Sequence, residues 1–460
     1  MDVRQLQERI EVLERENARL RQQLAEALAR GEELEKELRR RGKNYRPRPN
    51  AKARPSAKID RRKRPHRSHG GHFRPTDFSK VPEEEIIHHD VYADRCPQCG
   101  GRDLETTGQF DDHYQEDLPE PKVEIHRYRR HESRCRRCGE ACQGRGDLEL
   151  PDAHIGPRAR LLVCYARAEL GISLGKTTEL LRQWWQLPLS RAGALGHLRW
   201  GGKLFAPVVQ EFLELLRQSN IVHADETGWR IDGKNVWAWC LANPHISLYL
   251  IDRHRSSEVF ITALGESLPG VLVSDFYAAY NCIDARKQRC LPHLLRELHK
   301  LRQELSPYCV RRFIVPLIEL FQDAIALGHR RQELSGRAFA RRRSAIRRRF
   351  RELLDTRLRN KECLRIWSRL FEHENELFTF LDDPSVPSDN NHAEREIRGL
   401  VAARQDGGTH RRTWSAEAFA RIKTATRSCR KNGRRFLQYG LSLIRALSAG
   451  QPAPLPFDTS

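Results

Sequence analysis

At 460 residues the chain is too long for one compact core, and about three domains are expected. Its 82 Lys and Arg against 61 Asp and Glu leave a formal charge of +21, which favours a polyanionic partner, nucleic acid ahead of an acidic membrane surface. No apolar run reaches the ~18 residues that would cross a bilayer, and the charged stretch 1–16 lacks a signal-peptide core, so the expected location is cytoplasmic and nucleoid-associated, with no membrane partner.

Residues 1–38 read as a coiled-coil dimerisation segment. Val3, Ile10, Asn17, Leu24 and Leu38 fall at heptad a, and Leu6, Leu13, Leu20, Ala27 and Leu34 at d. A single Asn at a favours a parallel dimer in register, and Gly31 weakens the C-terminal end. A homodimer or higher oligomer is the expected assembly. Residues 39–80 form a basic linker: from Arg39 to Arg67 the only acid is Asp60, prolines recur, and no core can be buried. Such an arm can bind phosphates or act as a solvated spacer.

Residues 81–150 carry Cys96-Pro-Gln-Cys99-Gly and Cys135-Arg-Arg-Cys138-Gly. Twelve cysteines in a reducing compartment argue against a disulfide framework. Two Cys-x-x-Cys knuckles instead suit a ribbon-type site in which four thiolates hold Zn2+, whereas thioredoxin-like redox chemistry uses one pair. The stretch 123–128 alternates like a hairpin strand. Residues 151–215 read as a helix-turn-helix domain with helices over 158–170, 174–185 and from Ser190 onward, the Ser residues at 173 and 190 serving as N-caps. The third helix would enter the major groove.

The hydrophobic period then changes. Strands are expected over 221–225, 236–241, 247–251 and 271–275, with Asp232-Gly233 as a hairpin turn and a helix over 257–264. Three antiparallel strands, a helix and a further strand is the order of a ribonuclease-H-like core, so the fold class is multidomain α/β. The first part of the core spans 216–293 and the second, 386–447, with a tail over 448–460. Between the two parts, 294–385 is an all-helical, Arg-rich insertion, and its stretch 341–351 offers a DNA-facing surface.

Asp225 closes the first apolar strand, Asp275 closes the fourth, and Glu394 sits on a helix opened by Ser388-Asp389-Asn390-Asn391. Carboxylates converging from separate elements are what a hard divalent cation needs. Two Mg2+ (or Mn2+) ions ~4 Å apart activate water or a 3′-OH in phosphodiester chemistry. Glu394 borders the stripe of Ile397, Leu400, Val401 and Arg404, whereas Glu396 is expected to face solvent and Asp389 to cap the helix. Glu226 should point away from Asp225 on its strand. Arg398, one turn after Glu394, can hold that carboxylate or a phosphate.

The motifs His223-Ala-Asp225-Glu-Thr-Gly-Trp229, Val273-Ser-Asp275-Phe-Tyr-Ala-Ala-Tyr280, Cys290-Leu-Pro-His293 and Ser388-Asp-Asn-Asn-His-Ala-Glu394-Arg395 resemble those of the IS66 group of insertion-sequence transposases. The resemblance runs over about 440 residues, a length close to that of the whole chain. It implies a transposase of DDE type in which Asp225, Asp275 and Glu394 hold the Mg2+ and cut and join double-stranded DNA at element ends and target. Companion proteins of the same element are candidate partners. Cys290 and His293 match the family's Cys-x-x-His element and are read as structural or substrate-positioning; Arg404 joins Arg398 as a supporting residue. The segment Gln405-Asp-Gly-Gly-Thr-His-Arg-Arg412 departs from the Lys-Asn-Trp-Leu-Phe type of many relatives. The alternatives are a related metal-dependent nuclease and a non-enzymatic DNA-binding regulator built from zipper, zinc module and helix-turn-helix.

Overall fold

The computed structural model describes residues 77–457, apart from 152 and 409, together with Gln22. The expected coiled coil and most of the basic linker lie outside the described residues. The chain divides into two units, with the boundary between Asp117 and Leu118.

In the first unit the Cys96–Cys99 knuckle is a tight reversal. The Gly100 amide donates to the Cys96 carbonyl and the Cys96 amide to that of Gly101, both at 2.8 Å. Gly100 has φ +74°, a conformation that a side chain would strain. In the second unit the Cys135–Cys138 knuckle repeats this pattern, with Gly139 at φ +74°. It is flanked by two short antiparallel strands, β1 (Glu132–Arg134) and β2 (Ala141–Gln143), which pair Ser133 with Cys142. The strand expected over 123–128 does not form. Its alternating side chains meet no second layer, and Ile125 is 94% exposed.

Four helices follow: α1 (Pro157–Ala168), α2 (Leu174–Trp185), α3 (Arg191–Leu204) and α4 (Ala206–Arg217). Ser173 and Ser190 cap α2 and α3, each accepting a backbone hydrogen bond from the third residue on. Sequence reading anticipates the first three helices; the fourth has an apolar face (Val208, Phe212, Leu216) that is fully buried.

The sheet has five strands: β3 (Ile221–Ile231), β4 (Lys234–Ala242), β5 (Ser247–Asp252), β6 (Ser267–Ser274) and β7 (Asp284–Arg289), in the order β5-β4-β3-β6-β7. The first three are antiparallel, while β6 and β7 run parallel to β3. Helix α5 (Ser257–Leu264) makes the crossover to β6. Asp232 and Gly233 both adopt positive φ, as a two-residue hairpin turn between right-twisted strands requires. Two findings differ from expectation. β3 runs on past Asp225 to Ile231, and β7 is an added strand whose sequence Asp-Ala-Arg-Lys-Gln-Arg carries no apolar alternation.

The helical insertion comprises α6 (Leu291–Glu304), α7 (Val315–His329), α8 (Gly336–Leu354) and α9 (Lys361–Glu372). It builds its own apolar core around Phe313, Phe321, Phe350 and Leu370, which reaches the sheet at Val271 and Val273. The chain then returns through α10 (Asn391–Gly407), α11 (Thr413–Lys431) and α12 (Phe436–Ser448). α11 packs on both β5 and α3. At Gly202 of α3 an added Cβ would stand 2.8 Å from the Ala418 backbone, so the contact of these helices depends on glycine. Through such contacts α1, α3 and α4 share one hydrophobic core with the sheet.

Candidate active site

Asp225 stands where β3 loses its parallel neighbour. Pairing with β6 covers only 221–223 against 271–273, and beyond it β3 is held by β4 alone. The two strands thus part near the carboxyl end of β6. Asp275 follows the last residue of β6; its side chain accepts the Tyr277 amide at 2.9 Å. Its carbonyl accepts a 2.8 Å bond from Arg289, a fully buried side chain of β7 that also pairs with Glu376 at 2.6 Å. The polar strand β7 thus supports the Asp275 turn.

The start of α10 is tied to the same place by Asn390, which is 1% exposed. Its Nδ2 donates to the Ala224 carbonyl at 2.7 Å and its Oδ1 lies 3.1 Å from His223 Nδ1. Burial, then the neighbouring His392, lowers the His223 pKa to about 4, so the ring is neutral and donates Nδ1–H to an oxygen that can only accept. The Asn390 amide donates to Cys290 Sγ at 3.3 Å. Asp389, expected to cap the helix, stands one residue ahead of the N-cap Asn390 and accepts the Asn391 amide at 2.9 Å in a local turn. Asn390 was not among the expected site residues, and its one sequence signal is the run of polar residues that opens the helix.

One turn into α10, Glu394 is held by side chains from two helices. His293 Nδ1 is 3.6 Å away and Arg296 3.5 Å, both on α6; Arg398 of α10 is at 3.6 Å. The charges of Asp275 and Glu394 both act on Asp225. Burial first, then Glu226, Asp275 and Glu394, push the Asp225 carboxyl up to about 7. Three separated chain segments therefore bring their carboxylates within electrostatic reach, each of them partly buried. Glu226 points the other way, as expected, onto Arg255 and the Tyr280 hydroxyl.

Glu396 corrects the helical-wheel expectation. It is 6% exposed and faces inward, accepting hydrogen bonds from Arg427 at 2.9 and 3.1 Å and from Tyr249 at 2.9 Å. The reason is geometric. Leu400 marks the middle of the buried face, and Glu396, four residues earlier, is only about 40° from it, whereas Glu394 is about 120° away on the flank.

With this geometry established, two family models match the chain. The model of the transposase IS66 family covers residues 154–418, more than half of the chain and all three carboxylates. The chain belongs to the IS66 transposase family. The zinc-finger binding domain of transposase IS66 matches residues 93–139, which include both Cys-x-x-Cys knuckles. A search of curated proteins finds no match. The family match begins before α1, so the helices ahead of the sheet belong to the same transposase region as the carboxylates.

Within this IS66-family chain the supporting residues separate. Arg398 is 78% exposed and stands 3.6 Å from Glu394. Arg404 instead donates to the Gly228 carbonyl and lies over the Trp229 ring, fastening α10 to the far half of β3. His410 closes on the same strand: it contacts Trp229 and Phe419, and its carbonyl accepts the Asp232 amide at 2.8 Å. In each zinc knuckle, backbone amides point at the first sulfur. The amides of Cys99 and Gln98 lower the Cys96 thiol pKa, and those of Cys138 and Arg137 do the same for Cys135, which favours the thiolate that a metal binds.

The basic stretch on α8 is less available than its sequence implies. Arg343 and Arg347 pair with Asp382, Arg349 with Asp323, Arg351 with Glu374 and Arg348 with Glu352. Arg341 and Arg342 are exposed and make no ion pair among the described residues.

No helix of the described residues is long and apolar enough to cross a membrane.

Proposed function

We propose that this chain is a DDE transposase that cuts and joins double-stranded DNA at the ends of an insertion sequence, with Asp225, Asp275 and Glu394 as its metal-binding triad. The observation that carries the reading is the convergence of three segments: Asp225 where β3 parts from β6, Asp275 at the end of β6 and Glu394 on α10, whose start Asn390 ties to β3. The Asp225 carboxyl, raised to about 7 by burial and then by Glu226, Asp275 and Glu394, is consistent with it. The sheet order, three antiparallel strands followed by two parallel ones, supports a ribonuclease-H-like core. The chemistry that bound Mg2+ or Mn2+ supplies in such a site is activation of a water or 3′-OH and stabilisation of the leaving oxygen.

The protein's own groups have defined tasks. With a cation held, Asp225 would be ionised and the three carboxylates would present oxygen to it. Asn390 keeps the start of α10 against β3, so Glu394 stays in register with Asp225. Arg296 and Arg398, exposed and close to Glu394, are placed to receive the phosphate whose bond is broken. In the first step water adds to phosphorus and the 3′ oxygen leaves with a proton. In the second, that 3′-OH attacks a target phosphodiester in line and displaces its 3′ oxygen. No covalent link to the protein forms.

Zn2+ on Cys96, Cys99, Cys135 and Cys138, end recognition by the zinc module and the helices over 157–204, and dimerisation through 3–38 complete the proposal. The family's zinc-finger match supports the first of these.

Purified protein, Mg2+ and a duplex carrying the gene's flanking sequence should yield joined donor–target strands. Cleavage without joining would favour a nuclease, and binding without either product would favour a regulator. On the DNA surface, Arg341→Ala with Arg342→Ala should flatten the dependence of log affinity on log salt by about 2. Arg347→Ala should leave that slope nearly unchanged and lower thermal stability. Equal slopes for wild type and the double variant would remove α8 from the DNA surface.

A further inference from the structure

Cys290 and His293 stand alone in the sequence: one Cys-x-x-His pair with no second pair to complete a zinc site. The fold supplies the missing donor from 101 positions further along the chain. One ligand atom each of Cys290, His293 and Glu394 lies within 4.8 Å of the others, and this is the one such cluster among the described residues. The local reason is helix geometry. Cys290 is the N-cap of α6 and His293 is three residues on, so both side chains share the first turn. Ser388 and Asn390, at the approach to α10, bond to this same turn: the Leu291 amide donates to the Ser388 carbonyl at 3.0 Å and the Asn390 amide to Cys290 Sγ at 3.3 Å.

We propose that Cys290, His293 and Glu394 form a binding site for a thiophilic divalent cation, Zn2+, which takes Glu394 away from the catalytic carboxylates and holds the enzyme inactive. The inhibitory half rests on the function proposed above; the binding half does not. Three further observations support it. His293 Nδ1 is buried with no hydrogen-bond partner and is directed at Glu394 Oε1, 3.6 Å away. The Cys290 sulfur already accepts a backbone amide, the kind of outer contact that steadies a metal-bound thiolate. Partial exposure of His293 and Glu394, 34% and 15% of their side chains, leaves an entry path and room for a fourth ligand.

The donor types choose between cations. A thiolate, an imidazole and one carboxylate suit Zn2+, whereas Mg2+ demands oxygen and would be held by Asp225 and Asp275 with Glu394. Glu394 is common to both sets, so the two occupancies compete for one carboxylate. Binding Zn2+ would displace the Cys290 thiol proton to solvent, and the two negative charges of the thiolate and the Glu394 carboxylate would then neutralise the ion. Arg296 and Arg398 now share Glu394, but both are long, mostly exposed side chains that can swing out as the ion enters.

The test uses the full chain with its knuckles zinc-loaded and excess metal removed. Titration with Co2+ should give one further equivalent with thiolate-to-metal absorption. Cys290→Ser, at a fully buried position, and His293→Gln, at a partly exposed one, should each remove that equivalent while the protein still melts cooperatively. In the Mg2+-dependent cleavage assay, with each protein scaled to its own zinc-free rate, both variants should need at least about tenfold more Zn2+ for half inhibition, a weakening in keeping with loss of one ligand. No further cobalt in the wild type, or an unchanged equivalent in both variants, overturns the site. Cobalt bound and lost as expected, with zinc inhibition unaltered, overturns the inhibitory role alone, while the triad itself is tested separately by Glu394→Gln.

Discussion

Glu394→Gln should lower strand cleavage and joining by about a thousandfold or more, the scale on which loss of one preorganised electrostatic group acts, while DNA affinity stays within about twofold. The amide keeps the size of the side chain and one acceptor oxygen, but removes the charge that a hard cation needs. Its structural cost is small. Glu394 lies on the flank of α10, and its neighbours His293, Arg296 and Arg398 are partly or mostly exposed. Asp225→Asn and Asp275→Asn should be as inactive. Asp225→Asn should also stabilise the metal-free protein slightly, because it removes a charge disfavoured by burial and by its acidic neighbours. Cleavage assays run beside circular dichroism and DNA-binding measurements separate chemistry from folding. A Glu394→Gln protein that cut DNA at the wild-type rate would end the triad assignment.

The parts of the site that the sequence made legible are those with a short-range physical signature. An acid after an apolar run is conspicuous whatever the fold, and that identified Asp225 and Asp275. The same signature could not say where β3 ends, because Glu226–Ile231 continues as a strand on the strength of β4 alone once β6 has diverged. β7 was invisible for a related reason. Its pairing with β6 is made by the backbone, and its interior contribution is the polar pair Gln288 and Arg289, both fully buried and hydrogen-bonded. Hydrophobic periodicity cannot report a strand whose buried side chains are polar.

Glu396 shows the same limit on a helix. A charged residue is placed in solvent unless its partner is known, and Arg427 lies 31 residues further on, on α11. Asn390 and the Cys290–His293–Glu394 cluster are long-range in the same sense: each joins segments 98 or more residues apart. Sequence reading could name the residues of the site one by one, but their joining depends on the hydrogen bonds of Asn390 to β3 and α6. Those bonds make the position of Glu394 a property of the fold and not of its own helix.

The buried pair of Glu396 and Arg427 carries the second large effect, on stability. Burial alone would raise the Glu396 carboxyl, but the hydrogen bonds and charge of Arg427, with Lys431 and Tyr249, bring it down to about 2. A carboxyl whose folded value lies below its ordinary value of 4.5 stabilises the native state above that ordinary value. The contribution is lost as pH falls from about 4.5 through about 2, and the gap is worth about 3 kcal/mol. Arg427 also bonds Glu169 of the segment after α1 at 3.1 Å, so the pair links α10, α11 and that segment. Glu396→Gln should therefore lower stability by about 3 kcal/mol at neutral pH, since it leaves a buried guanidinium short of its counter-charge. Near pH 2 the two proteins should be equally stable. Urea unfolding followed by the fluorescence of buried Trp229 and Trp239 would measure this at both pH values. A variant as stable as wild type at pH 7 would show that burial of this pair costs as much as its attraction returns. Replacing Glu396 and Arg427 together by methionine should recover much of the loss, because the orphaned charge is then gone.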